Sequence, residues 1–105
     1  LKSVYKDISF WINKNEIVNS DNDFHWSNIN DFYEIIRDLS NDTIKSVTIL
    51  DKFYHQKKSQ YSMTFRIEIE AQNYNETNPS KLELYANQLI TNILKILAEK
   101  KYQIR

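Results

Sequence analysis

Asp7-Ile8-Ser9-Phe10-Trp11 and, after a polar stretch, Asn30-Asp31-Phe32-Tyr33-Glu34-Ile35-Ile36-Arg37 are the two segments on which the fold turns. From Lys6 to Ile12 the residues alternate. Ile8, Phe10 and Ile12 point one way, while Asp7, Ser9 and Trp11 point the other, the period of a half-buried strand. In the second segment Phe32, Ile35, Ile36 and Leu39 follow the i, i+3, i+4, i+7 spacing of one helical stripe. Asn28 is placed to cap this helix, with Asp31 three residues on completing a capping-box-like pair. Ser40-Asn41-Asp42 ends it.

Working outward, two β-rich runs follow, Ile44 to His55 and Tyr61 to Gln72. In the second, Tyr61, Met63, Phe65, Ile67 and Ile69 alternate with Ser62, Thr64, Arg66, Glu68 and Glu70. The short polar link Gln56-Lys57-Lys58-Ser59-Gln60 predicts a hairpin, and the lack of Gly or Asn-Gly predicts a loop longer than a tight turn. Asn73 to Asn78 reads as a loop. Pro79 suits a first helical turn with Asn78 as cap, and Ser80 with Glu83 offers a competing capping box. Leu82, Tyr85, Ala86, Leu89, Ile93, Ile96 and Leu97 then carry a helical stripe, and Tyr102 to Arg105 suits a short last strand. Asn13 to Trp26, rich in Asn and Asp, reads as a loop with little reason to order beyond tethering by Ile17, Phe24 and Trp26.

The predicted order is β-α-β-β-α-β, an α+β, ferredoxin-like arrangement. Right-handed crossovers put two helices on one face of a four-stranded antiparallel sheet with the first and third strands central.

Bulk properties bound the rest. At 105 residues the chain is expected to be one domain, residues 1–105. Leu1 is not a natural start residue, so a piece of a longer chain is expected, with any targeting sequence upstream. Hydrophobic residues make up 41% and charged residues 27%, which permits a globular core. The absence of cysteine excludes disulfides, thiolate zinc sites and iron–sulfur clusters. No apolar run approaches the roughly 20 residues of a membrane span. His25 and His55 show no metal-ligand spacing. With no glycine, a phosphate-cradling loop and the GxSxG nucleophile elbow are both ruled out, so the piece is expected to do no chemistry. Formal net charge is zero, which argues against strong autonomous nucleic-acid binding.

Taken together, four pieces in order carry a family resemblance: Asp7–Trp11; Asn30-Asp31-Phe32-Tyr33 with Arg37; Val47 to Leu50 with Asp51-Lys52-Phe53 and His55; and Ser62 with Phe65-Arg66-Ile67. At this spacing they resemble the ferredoxin-fold anticodon-binding domain at the C-terminal end of phenylalanyl-tRNA synthetases, most closely the organellar single-chain type. Two departures stand out. The family's hairpin carries Pro and Gly where this chain has Gln56-Lys57-Lys58-Ser59. Its Gly before the last strand is replaced by Lys101 or Tyr102, so a non-Gly residue is expected in a left-handed conformation there.

The resemblance implies that this domain binds the anticodon stem-loop of phenylalanine tRNA and orients it for an upstream catalytic domain of the same chain. That domain, a class II ligase, would use ATP and magnesium; no cofactor is expected in this one. A monomer in a mitochondrion or plastid is implied, with no membrane partner. The sheet face away from the helices would supply Ser9, Trp11, Thr64, Arg66 and Glu68 and, from the neighbouring strand, Thr48 and Lys52, with Lys57 and Lys58 at the hairpin. Trp11 would stack on a base and Arg66 would pair with a phosphate or base edge. The bland readings are that Trp11 lies under the Asn13–Trp26 loop, that Arg66 pairs with Asp7 or Glu68, and that Lys57-Lys58 is a solvated tip. The alternative function is a protein- or small-ligand-docking module without RNA binding. An acylphosphatase-like enzyme is disfavoured for want of a glycine loop.

Overall fold

The structure, a computed structural model, describes residues 3–19, 23–71 and 78–105. Strand β1 runs Ser3–Ile12, followed by a 3₁₀ turn at Lys14–Glu16 and two short strands, β2 Ile17–Val18 and β3 His25–Trp26. Helix α1 spans Ile29–Ser40, strands β4 and β5 span Ile44–His55 and Gln60–Glu70, and helix α2 spans Pro79–Glu99. Among the described residues the predicted order is met through the second long helix, with β2 and β3 added before α1, while the last predicted strand, Tyr102 to Arg105, is a single bridge. Residues 72–77, which hold most of the loop expected before α2, lie outside them.

The main sheet is antiparallel, in the order β1-β5-β4. Among the described residues this sheet has three strands where four were predicted. The tail makes one antiparallel bridge, Phe10 with Ile104, supported by Trp11 N–H to the Gln103 carbonyl and Arg105 N–H to the Ser9 carbonyl, at 2.9 and 3.0 Å.

The alternation read from the sequence decides the packing. Ile8, Phe10 and Ile12 of β1 and Met63, Phe65, Ile67 and Ile69 of β5 are all buried in one core. Both helices cover that face. α1 contributes Ile29, Phe32 and Ile36, and α2 contributes Leu82, Ala86, Leu89, Ile93 and Leu97. Phe10 sits at the centre, its ring 5.4 Å from Trp26 and Phe32 and 5.8 Å from Phe65 and Tyr102. Each fully buried aromatic of this kind contributes on the order of 2–3 kcal/mol by area alone.

The helix ends differ in part from expectation. Asn78 caps α2 as predicted, its Oδ1 accepting from Ser80 N–H at 2.9 Å, ahead of the competing Ser80/Glu83 box. Asn28 holds the cap position of α1, but its side chain makes no capping bond. It turns instead towards Glu16 and Tyr102. The C-terminus of α1 closes through Asn41 at φ 49°. There the Ser40 carbonyl accepts from Thr43 Oγ1 and Tyr85 OH at 2.8 and 3.1 Å, tying α1 to α2. At the end of α2, Lys101 takes φ 72°. Tyr102 N–H bonds to the Leu97 carbonyl and Lys101 N–H to the Ala98 carbonyl, both at 3.0 Å, the paired bonds of a Schellman motif. The left-handed non-Gly residue expected there is Lys101.

The described parts of the Asn13–Trp26 segment, residues 13–19 and 23–26, hold more regular structure than their composition suggested. β2 and β3 pair, Ile17 with Trp26 and Val18 with His25. Phe24 and Trp26 are buried in the core. Glu16 locks the arrangement by accepting from Trp26 Nε1 at 3.0 Å, from Asn13 Nδ2 at 3.3 Å and from the Tyr102 hydroxyl. Burial pushes the Glu16 carboxyl up, but the hydrogen bonds from Trp26, Tyr102, Asn13 and Asn28 outweigh it and hold the group below its ordinary value.

Candidate nucleic-acid interface

The face of the sheet away from the helices is crossed by rows of side chains, because residues paired in register share a face. At the hairpin end, Trp11, Ser62 and Phe53 form one row. The next is Ser9, Thr64 and Asp51, then Asp7, Arg66 and Thr48, then Tyr5, Glu68 and Ser46. Aromatic groups, hydroxyls, an ion pair and a carboxylate thus follow one another along the sheet.

The first row carries the strongest chemistry. The Trp11 ring lies 4.6 Å from that of His55, and Phe53 lies 4.4 Å from His55 on its other side. Two cations stand over Trp11: Lys58 Nζ at 5.2 Å and the Arg105 guanidinium at 5.5 Å from the ring centre. Both lie within cation–π range. Beneath them the buried Ser62 hydroxyl meets His55 Nε2 and Arg105 Nη1, each at 3.0 Å. It orients the imidazole and the guanidinium together. Partial burial and the neighbouring Arg105 and Lys58 push the His55 pKa down, with Asp51 opposing. Phe53, Tyr54, His55, Gln56, Lys57 and Lys58 line an open hollow of about 520 Å³ beside this cluster.

Of the residues expected on this face, Ser9, Trp11, Thr48, Thr64, Arg66 and Glu68 lie on it. Ser9 Oγ accepts from Thr64 Oγ1 at 3.0 Å. From the segment expected to cover Trp11, Phe24 and Trp26 pack into the core on the helix side. Arg66 makes the ion pair weighed against its RNA role. Its Nε and Nη2 donate to the two Asp7 oxygens at 2.9 and 3.0 Å, and this bidentate pairing holds the Asp7 carboxyl below its ordinary range. Lys57 and Lys58 differ: both border the hollow, but it is Lys58 that stands over Trp11.

The expectation for Lys52 is corrected. A β-bulge between Ile49 and Asp51 shifts the register of β4. Strict alternation from Thr48 would place Lys52 on the open face. The extra residue turns Lys52 to the helix side, opposite Met63, and sends Phe53 outward, opposite Ser62. Lys52 Nζ there donates to the Phe24 carbonyl at 3.0 Å and to Asp23 Oδ1 at 3.2 Å, pinning the β2–β3 segment.

Phe53, His55 and Arg105 were missed as site residues. The bulge hides Phe53 from a period-2 reading. Arg105 is legible only once the tail is known to pair with β1. His55 shares the open face with Phe53, two positions along β4, and that placement also depends on the bulge.

This arrangement offers an aromatic platform with cations at its rim and a hydroxyl floor. It can stack a planar ring and hold an anion beside it. Among the described residues there is no group of three or more His, Asp or Glu side chains able to hold a metal ion, and no helix is long and apolar enough to cross a membrane.

No protein-family model matches the chain. It is 34% identical over 74 residues, 70% of its length, to the mitochondrial phenylalanine–tRNA ligase of Saccharomyces cerevisiae, of which the match covers 15%. It is 34% identical over 65 residues, 62% of its length, to the mouse mitochondrial enzyme, covering 12% of it. A third relative is the mitochondrial enzyme of Dictyostelium discoideum, 33% identical over 76 residues, covering 15%. The chain thus spans a small part of the relatives it matches, and it is related to a segment of phenylalanine–tRNA ligase. These relatives are all mitochondrial, which supports an organellar location.

Proposed function

We propose that this domain belongs to a phenylalanine–tRNA ligase and grips the anticodon stem-loop of phenylalanine tRNA on its open sheet face. In this reading Trp11, with Phe53 and His55, stacks an unpaired base. Lys58 and Arg105 bind the phosphates beside it, and Lys57 adds charge at the hairpin. Ser9 borders the platform. Arg66 is committed to Asp7 and acts by keeping β1 and β5 in register. The chemistry, with ATP and magnesium, would belong to a catalytic domain of the parent enzyme, and this domain's role would be positioning. The observation that supports the reading is the half-buried Trp11 ring on the open sheet face, flanked by two cations at 5.2 and 5.5 Å.

The test is ultraviolet crosslinking of the chain to phenylalanine tRNA, with the linked peptides and nucleotides mapped, alongside affinity measurements on Trp11→Ala and Arg105→Ala. Crosslinks are expected between the Trp11 or Phe53 peptides and the anticodon loop. Loss of one stacked base should weaken binding by about 1–3 kcal/mol, roughly 5- to 150-fold. Trp11 lies outside the core, so the variant should stay folded. Crosslinks confined to the tRNA acceptor end, or wild-type affinity in both variants, would overturn the proposal and favour the docking-module reading.

A further inference from the structure

The rows of the open face end in a fixed negative charge, which bears on how much RNA the face accepts. Glu68 is nearly enclosed, its side chain 15% exposed. Its oxygens accept from Ser3 Oγ at 2.7 Å, Tyr5 OH at 3.2 Å and Ser46 Oγ at 3.2 Å, contributed by both flanking strands. The Ser3 hydrogen bond chiefly holds the carboxyl ionised, with Tyr5, Lys45 and Ser46 adding to it against a smaller cost of burial. Three hydroxyls thus converge on one carboxylate.

The cations on this part of the face are engaged. Lys45 is shared between Glu68 and Glu70, at 3.9 and 3.7 Å, and Arg66 is taken by Asp7. Among the described residues this part therefore holds three carboxylates, Asp7, Glu68 and Glu70, against two cations, Arg66 and Lys45. At the other end stand Lys58 and Arg105. Glu68 lies six positions along β5 from Ser62, roughly 20 Å at the usual strand rise.

We infer that Glu68, with Glu70, determines specificity by repelling phosphate, so that bound RNA is confined to the Trp11 end and the face takes a short unpaired stretch in preference to a long single strand. This rests on the reading of the open face as an RNA surface. The confinement is electrostatic: a strand running on from Trp11 would bring its phosphates against a carboxylate held by three hydroxyls, where one lysine is shared between two glutamates and the local excess of charge is negative.

The test uses the isotope-labelled chain, followed by amide NMR at low salt. It is titrated with oligouridylates of about 4 and about 16 nucleotides, the range of site sizes for single-strand modules. The comparison variant is E68Q/E70Q, which keeps a hydrogen-bond acceptor for Ser3 or Ser46. In the wild-type chain both oligomers should perturb the amides around Trp11, Phe53–Ser59 and Arg105, and spare Lys45–Thr48 and Arg66–Glu70. In the variant the longer oligomer should spread to those spared residues. Its salt dependence should then steepen by about 0.7 in the log–log slope for each added phosphate contact, while that of the shorter oligomer is unchanged. Spreading already present in the wild type, or a variant that keeps the wild-type footprint, overturns this inference and leaves the RNA surface standing. Perturbation nowhere around Trp11 with either oligomer removes the RNA surface itself.

Discussion

Lys101→Gly should stabilise this protein. Lys101 holds φ 72° at the end of α2, where a Cβ crowds the following carbonyl at a cost of about 1–2 kcal/mol. Glycine removes that cost but adds unfolded-state entropy worth about 0.5–1 kcal/mol. The net gain is about 0.5–1 kcal/mol. For a domain near 100 residues this corresponds to a rise in Tm of about 2–8 °C. Both Schellman bonds are made by the backbone, Tyr102 to Leu97 and Lys101 to Ala98, so they survive the substitution. The assay is thermal and urea unfolding, with Lys101→Ala as control. Alanine keeps the Cβ and should shift stability by about 0.5 kcal/mol at most. A glycine variant no more stable than the alanine variant would refute the assignment of strain to this residue. Because the turn directs Gln103–Arg105 back along β1, RNA affinity should be unchanged in the glycine variant.

The remaining predictions concern Glu16 and Lys52. Glu16 has a folded pKa below its unfolded value of about 4.3, so its stabilisation is full above that value and is lost as pH falls through the folded one. Glu16→Gln should cost about 1–3 kcal/mol at pH 7 and flatten the acid limb of a Tm-against-pH curve; an acid limb as steep as wild type would contradict the role given to the carboxylate. Lys52→Met should lower stability by about 1 kcal/mol through loss of the Phe24 and Asp23 contacts. It should leave RNA affinity within about twofold by filter binding, and a large loss of affinity would return Lys52 to the interface.

Where the sequence was legible, one local period set the outcome. Ile8, Phe10 and Ile12, the Tyr61–Ile69 alternation and the α2 stripe each belong to a regular element, and each packs as its period requires. Legibility failed where a single residue broke the period or where distant segments met. The bulge between Ile49 and Asp51 exchanged the faces of Lys52 and Phe53, and no turn residue marks it. Asn28 looked like a cap because capping is a local interaction, but Glu16 and Tyr102 claim its side chain from elsewhere in the chain. The candidate interface inherits both kinds of failure. Trp11, Lys58 and Ser9 were readable from strand and hairpin, whereas Phe53 and Arg105 depended on register and on the tail.

The same bulge bears on how the protein keeps to itself in solution. Among the described residues β4 is the outer strand on its side of the sheet, twelve residues long, with Ile49, Leu50 and Phe53 exposed at 39%, 48% and 49%. A straight strand of that length and character would template pairing with another molecule and so seed aggregates. The irregularity at its midpoint breaks the row of evenly spaced amides and carbonyls into two short runs. A crowded organelle would then meet a ragged border in place of a continuous one, and the residue that lifts Phe53 into view also guards the apolar strand that presents it.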